Sequence, residues 1–318
     1  MIVRSILCPV DFSSESRTLV RAALAIAREE AATVTVIHVL EPLLAQAAAL
    51  ATERAWLEKQ AYKEMDALLA TAVEGSGIDP LTVERRVRAG EPDEEILAAA
   101  GEYDADLIVM GTEALRGVRR LFFGSIAAKV MAHTSIPVLA IPPGVADLLT
   151  PRPDGERGLP LREILVAVDF SESAMLAVRD AAELALRWGT VLTLMHVVPG
   201  VPDVLHWGAS LDAHQRRQIE RAQRELELVA REIEGVPVVV MTAEGAPDEA
   251  IIRVAAEHGS SLVVLGLRRS RAGWFAPRPG STAYRVLSLT KLPVLVLPGA
   301  RVVDAPETEQ HACATGHF

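Results

Sequence analysis

Short unbroken apolar runs alternate along the chain with stretches whose apolar residues recur every three or four positions. Residues 6–10 read as a strand buried on both faces, and residues 33–39 read as a second. Between them Val20, Ala23, Leu24 and Ala27 follow the i, i+3, i+4, i+7 spacing of a helix lying on a core, with Ser13 or Ser14 placed to cap it. A long alanine-rich helix is predicted over about 43–73, with Leu57, Ala61, Met65 and Leu68 on one face; the Gly- and Pro-containing segment 75–80 ends it. Residues 81–87 predict a third strand, 92–100 a helix opened by proline, and 107–110 a fourth strand. A last helix opens at 126–131, and 137–141 form a fifth strand.

The same order is then written a second time. Asp11-Phe12-Ser13 recurs as Asp169-Phe170-Ser171 and His38-Val39 as His196-Val197, both 158 positions further on. Gly90-Glu91-Pro92-Asp93-Glu94 returns as Gly245-Ala246-Pro247-Asp248-Glu249, and Ile136-Pro137-Val138-Leu139 as Leu292-Pro293-Val294-Leu295. The later elements of the second copy fall at 191–197, 209–232, 236–241, 247–256, 262–265, 282–287 and 294–297. Strands alternating with helices require right-handed crossovers between parallel strands. The expected fold is therefore α/β, two tandem doubly wound, Rossmann-like domains, each with a five-stranded parallel sheet. Domain one spans 1–143, a linker 144–160, domain two 161–299, and a polar tail 300–318 that is expected to be disordered.

Composition narrows the partners. The 318 residues are 50% apolar and 23% charged, a balance suited to two globular cores. A net charge of −10 excludes a general nucleic-acid or anionic-membrane binder. Cys8 and Cys313 lie at opposite ends and supply no disulfide framework; Cys8, inside a strand pattern, reads as a small buried hydrophobe. No apolar run reaches the ~18 residues of a membrane span, and the first residues lack the design of a signal peptide, so a cytoplasmic location is expected. His311, Cys313 and His317 sit in the tail, where nothing fixes a metal-ligand geometry, and no metal is expected.

One stretch carries candidate chemistry. The fourth strand ends in Met110-Gly111, a loop follows, and Gly124-Ser125 opens the last helix. Glycine admits a close backbone approach, and a helix N-terminus offers unpaired N–H groups to an anion. In doubly wound sheets ligands bind beyond the carboxyl ends of the strands, where Asp11, Val39 and Gly111 are all expected. Catalytic motifs are thin: Ser288-Leu289-Thr290-Lys291 fits a Ser-x-x-Lys pattern without its companions, and His38 and His196 read as packed strand-end residues.

Over nearly its whole length the chain resembles the universal stress protein family in its tandem two-domain form. The family's ATP-binding pattern is Gly, two residues, Gly, nine residues, Gly, then Ser or Thr, with an Asp after the first strand and His-Val ending the second. Copy one matches with Asp11, His38-Val39, Gly111 and Gly124-Ser125, but Ala114 replaces the second glycine and Glu113 adds a carboxylate. The resemblance implies that Asp11 bonds base or ribose and that Pro9, Val39 and Met110 wall the adenine. Gly111 would lie close to ribose and phosphate, and the amides of Gly124, Ser125 and Ile126 would face the phosphates, with Arg119 and Arg120 above. If the backbone at Ala114 is left-handed, alanine costs roughly 1–2 kcal/mol, on the order of a tenfold loss of affinity.

Copy two keeps Asp169, Val197, Gly266 and Gly280-Ser281 but has Arg269 at the second glycine and Pro277 and Pro279 in a loop one residue longer. Arg268, Arg271 and Arg278 make that loop basic. The expectation is an ATP site, with or without Mg, mainly in copy one and weak or absent in copy two. The nucleotide would then alter a surface for a protein partner. The alternative is a nucleotide-independent interaction module in which the copies form an internal pseudo-dimer. The resemblance implies that such pairs associate through their last strands, 138–141 and 294–297; a further homodimer stays open. Slow ATP hydrolysis is the weakest reading, because only Asp11 and Glu113 offer a base.

Overall fold

The computed structural model of the protein describes residues 1–42, 54–74, 82–112, 124–145, 159–200, 208–267 and 280–299. The first half runs β1 (Ser5–Pro9), α1 (Ser16–Glu30), β2 (Thr33–Leu40), α2 (Arg54–Ala72), β3 (Glu84–Ala89), α3 (Pro92–Glu102), β4 (Leu107–Gly111), α4 (Ser125–His133) and β5 (Val138–Ile141). The second half repeats it. It runs β6 (Glu163–Ala167), α5 (Glu172–Trp188), β7 (Val191–Val198), α6 (Gly208–Arg231), β8 (Val238–Glu244), α7 (Pro247–His258), β9 (Leu262–Leu267), α8 (Thr282–Leu289) and β10 (Val294–Pro298).

Each half is a doubly wound parallel sheet, as the alternating pattern requires. The strands form one ten-stranded sheet in the order β3-β2-β1-β4-β5-β10-β9-β6-β7-β8. All pairs within a half are parallel, and the halves meet through antiparallel pairing of β5 with β10, Leu139 opposite Leu295. Strand order reverses between β1 and β4 and between β6 and β9, which opens a crevice beyond the carboxyl ends of each pair. Side chains alternate across the sheet. Ile6 and Cys8 point into a core under α1, α2, α5 and α6, whereas Leu7, Ile108 and Met110 point into a second under α3, α4, α7 and α8. Burial pushes the Cys8 thiol up to about 12, so it is an inert apolar filler.

The repeated Gly-x-Pro-Asp-Glu segment opens α3 and α7. Proline takes the first helical turn, where its missing N–H is no loss, and an aspartate follows near the positive end of the helix. Asp93 pairs with Lys129 of α4 at 3.1 Å and Asp248 with Arg285 of α8 at 2.7 Å. These pairs tie the last helix of each half to the helix after its third strand.

Three local expectations need correction. The edge strand β3 occupies Glu84–Ala89 rather than 81–87, because its register on β2, from Thr35 opposite Glu84 to Leu40 opposite Ala89, runs through an arginine-rich stretch with little apolar signal. β8 likewise lies two to three residues later than expected, at Val238–Glu244. Neither Ser13 nor Ser14 caps α1: its N-cap is Glu15, without a side-chain bond, because Ser13 is drawn into a turn around Asp11. The break at 75–80, part of the long first-half helix, most of the expected linker 144–160 and the expected tail 300–318 lie outside the described residues.

The two halves also supply a matched comparison at one helix end. α1 and α5 both close on a residue in the left-handed region, Ala31 with φ 53° and Gly189 with φ 62°. Alanine is strained there and glycine is not. Ala31→Gly is expected to stabilise the protein by about 0.5–1 kcal/mol, the left-handed strain partly offset by glycine's greater freedom when unfolded. Gly189→Ala should destabilise it although a Cβ there meets no atom within 4 Å. Urea denaturation of the two variants checks the signs.

Candidate functional site

The crevice of each half is built around a unit that appears twice. After β1, Val10 donates its N–H to the Ile37 carbonyl at 2.8 Å. The chain then reverses at Phe12, held at φ 59°. The His38 ring lies against Phe12 with centroids 4.2 Å apart, and its Nδ1 is 2.9 Å from the Val10 carbonyl oxygen. A carbonyl only accepts, so Nδ1 carries the proton. The second half reproduces each contact. Phe170 has φ 57° and lies tilted against the His196 ring with centroids 4.8 Å apart, and Nδ1 of His196 donates to the Val168 carbonyl at 2.7 Å. The histidines are structural, as their strand-end positions indicate. Phe12 and Phe170 carry the turn yet escape notice in the sequence; their repetition directly after each Asp, in step with the repeated His, is the signal that could have found them.

Asp11 heads the loop between β1 and α1. Its Oδ1 accepts from the Ser13 amide at 2.9 Å and the Ser16 hydroxyl at 3.0 Å. Burial alone pushes its carboxyl up, but hydrogen bonds from Ser13 and Ser16 outweigh that and hold it below the ordinary value of 3.8. Both of these bonds end on Oδ1. Asp169 bonds the Ser171 amide at 3.0 Å and the Ser171 hydroxyl.

The phosphate-cradle candidates divide. The Gly124 amide is not free: it donates to the Thr112 carbonyl at 2.9 Å, pinning the start of α4 to the end of β4. The expectation that it faces an anion is therefore replaced by a structural role. The next amides, from Ser125 to Ala127, have no intrahelical acceptor by geometry, and Gly124 offers no capping side chain. Ser125 and Ile126 are exposed. In the second half the Ser281 hydroxyl accepts from the Tyr284 amide at 3.3 Å, so that helix caps itself. Among the described residues, the start of α4 has no side-chain cap, whereas at the start of α8 one amide, that of Tyr284, is capped by Ser281.

The remaining candidates are placed as follows. Pro9 and Val39 are half-buried at the strand ends, and Val197 matches Val39. Met110 is buried in the core under α3 and α4. A Cβ on Gly111 would meet only Leu19 of α1 at 3.6 Å, an ordinary contact. A Cβ on Gly266 would stand 2.4 Å from the Ser173 carbonyl oxygen, because the first turn of α5 rests on β9 there. Gly266 is thus explained by packing. Ala114, Glu113, Arg119, Arg120, Arg268, Arg269, Arg271, Pro277, Arg278 and Pro279 lie outside the described residues. No helix of the described residues is long and apolar enough to cross a membrane.

Two outcomes follow from this geometry. Gly266→Ala is expected to cost about 1–3 kcal/mol through overpacking, while Gly111→Ala stays within about 0.5 kcal/mol; chemical denaturation separates them. Asp11 ionises more readily folded than unfolded, so its contribution is complete above the unfolded value and lost as pH falls through the lower folded one. Asp11→Asn should therefore be less stable than the unaltered chain near neutral pH, with the gap closing below pH 3.8. A gap independent of pH would contradict this.

Comparison with known proteins agrees with the architecture. The profile of the universal stress protein family matches residues 3–142 and again 160–298. A universal stress protein of Thermus aquaticus is 33% identical over 141 residues, 43% of this chain and 98% of that protein. One from Methanocaldococcus jannaschii is 30% identical over 145 residues, 44% of this chain and 82% of that protein. The crystal structure of a universal stress protein from Archaeoglobus fulgidus covers 92% of this chain and 98% of its own, with a TM-score of 0.64 and 22% identity, a likeness of fold. With the family profile matched once by each half of the doubly wound sheet, the chain belongs to the universal stress protein family.

Proposed function

We propose that the protein is a nucleotide-responsive member of its family that binds ATP, or a related nucleotide, in the first half alone. The observation that carries this reading is the unequal state of the two helix starts. Amides from Ser125 to Ala127 begin a helix that has no side-chain cap among the described residues and is held in place by the Gly124–Thr112 bond, whereas Ser281 caps the Tyr284 amide of its own helix. An uncapped helix N-terminus at a strand-order switch is suited to phosphate. Asp11 lies at the same carboxyl edge of the sheet, beyond β1, with Oδ2 able to accept from a ribose hydroxyl. The Ser125 hydroxyl supplies a further donor, and Mg would share the phosphate charge. Occupancy of this helix start would change the surface offered there to a protein partner in a cytoplasmic stress response.

Unfolding temperature with and without millimolar Mg-ATP tests this. A ligand that binds only the folded chain raises the midpoint by mass action. Gly124→Asp keeps a good N-cap residue but sets a carboxylate where the phosphate would lie, and it should abolish the rise. Ser281→Asp, an equally good cap in the other half, should leave the rise intact. No rise in the unaltered protein would leave the second reading, a nucleotide-independent interaction module. The continuous sheet through β5 and β10 favours that reading.

A further inference from the structure

The two halves meet around a pseudo-twofold axis, and residues on that axis face their own counterparts. In the sheet Leu139 pairs with Leu295, and each is the second residue after the proline of the repeated Ile/Leu-Pro-Val-Leu segment. In the helix layer the same holds for Glu30 and Trp188, the last residues of α1 and α5, which stand 158 positions apart like Asp11 and Asp169. Leucine against leucine is self-complementary. Glutamate against tryptophan is not.

Glu30 is nearly sealed, with 4% of its side chain exposed. Its Oε1 accepts from Trp188 Nε1 at 2.7 Å, and both oxygens accept from Arg187 Nε at 3.0–3.1 Å. Arg187 also donates to the Met1 carbonyl at 2.8 Å. The position of Arg187 in the first half is held by Glu29. Two first-half faces brought together would therefore oppose Glu29-Glu30 to Glu29-Glu30; Arg28 already pairs with Glu29, and the two Glu30 carboxylates would be buried without the indole and guanidinium they bond here. Two second-half faces would oppose Arg187-Trp188 to itself, with both indole N–H groups deprived of the Glu30 carboxylate and each guanidinium left only Glu183 of its own helix.

We propose that the Glu30–Arg187–Trp188 cluster selects the partner at this interface: it makes the face of the first half fit the face of the second and reject a copy of itself. The chain is thereby directed to close on itself rather than to pair with a second copy through like halves. The inference is independent of whether nucleotide binds.

Two full-length variants, each mismatched within its own chain, test it. E30R opposes two guanidinium groups across the interface, and R187E opposes two carboxylates. Exchanged between chains, the guanidinium introduced by E30R meets the carboxylate introduced by R187E. At the other interface of the exchanged pair, the unaltered Glu30 of the R187E chain meets the unaltered Arg187 of the E30R chain. Closure within one chain is favoured by an effective concentration on the order of millimolar, so matched charge must outweigh that preference at two interfaces. Differently labelled variants unfolded together and refolded at tens of micromolar are expected to give mixed dimers by light scattering and energy transfer, at least tenfold above either variant refolded alone. The unaltered chain and the E30R/R187E chain are expected to refold as monomers. Three results would overturn the proposal: monomers only from the mixture, equal dimerisation by either variant alone, or a dimeric E30R/R187E chain. A mixture that fails to refold while E30R/R187E folds would also overturn it.

Discussion

Everything in this molecule depends on the antiparallel contact between β5 and β10. Each half alone would leave its fifth strand as an edge, with a row of unpaired N–H and C=O groups and apolar side chains on both faces. Val138, Leu139, Ala140 and Ile141 are all buried, as are Val294, Leu295, Val296 and Leu297. Pairing the two strands satisfies their backbones and lets the cores above and below the sheet run on from one half to the other. The two remaining edges differ from each other: β8, Val238–Glu244, is largely apolar, and β3 is charged. β3 carries Arg85, Arg86 and Arg88, charges that oppose further strand addition.

The same contact fixes the two crevices at opposite ends of the sheet, because the strands of one half run against those of the other. They are built from one design, with a left-handed phenylalanine, a histidine locked by a strand-end carbonyl and an aspartate that organises the helix start. Against that shared frame the differences stand out. Gly111 has room and Gly266 has none; α4 starts uncapped and α8 caps itself. The two halves share one frame, and in the second Gly266 makes way for Ser173 while Ser281 caps α8.

The fold is legible in the sequence because strands covered on both faces show as short continuous apolar runs, and because the repeat confirms each element. Legibility fails where tertiary pairing overrides local signal. β3 is held by its register on β2 although its residues include Glu84, Arg85, Arg86 and Arg88. The start of α1 is hidden because Asp11 recruits Ser13, a choice that depends on the turn at Phe12. At the site, glycine positions are visible but their reasons are not. Gly124 is pinned by Thr112, and Gly266 makes way for Ser173. Glu30 and Trp188 escape a comparison of the copies because such a comparison seeks likeness, and their meaning lies in being unlike.

If nucleotide binds in the first half alone, it engages the start of α4 and leaves the start of α8 untouched. Amide hydrogen exchange with and without Mg-ATP reads both in one experiment. The account predicts slowed exchange at Ser125, Ile126 and Ala127 with nucleotide, and no change at Thr282 and Ala283. Equal protection of both helix starts, or protection confined to the second, would contradict it.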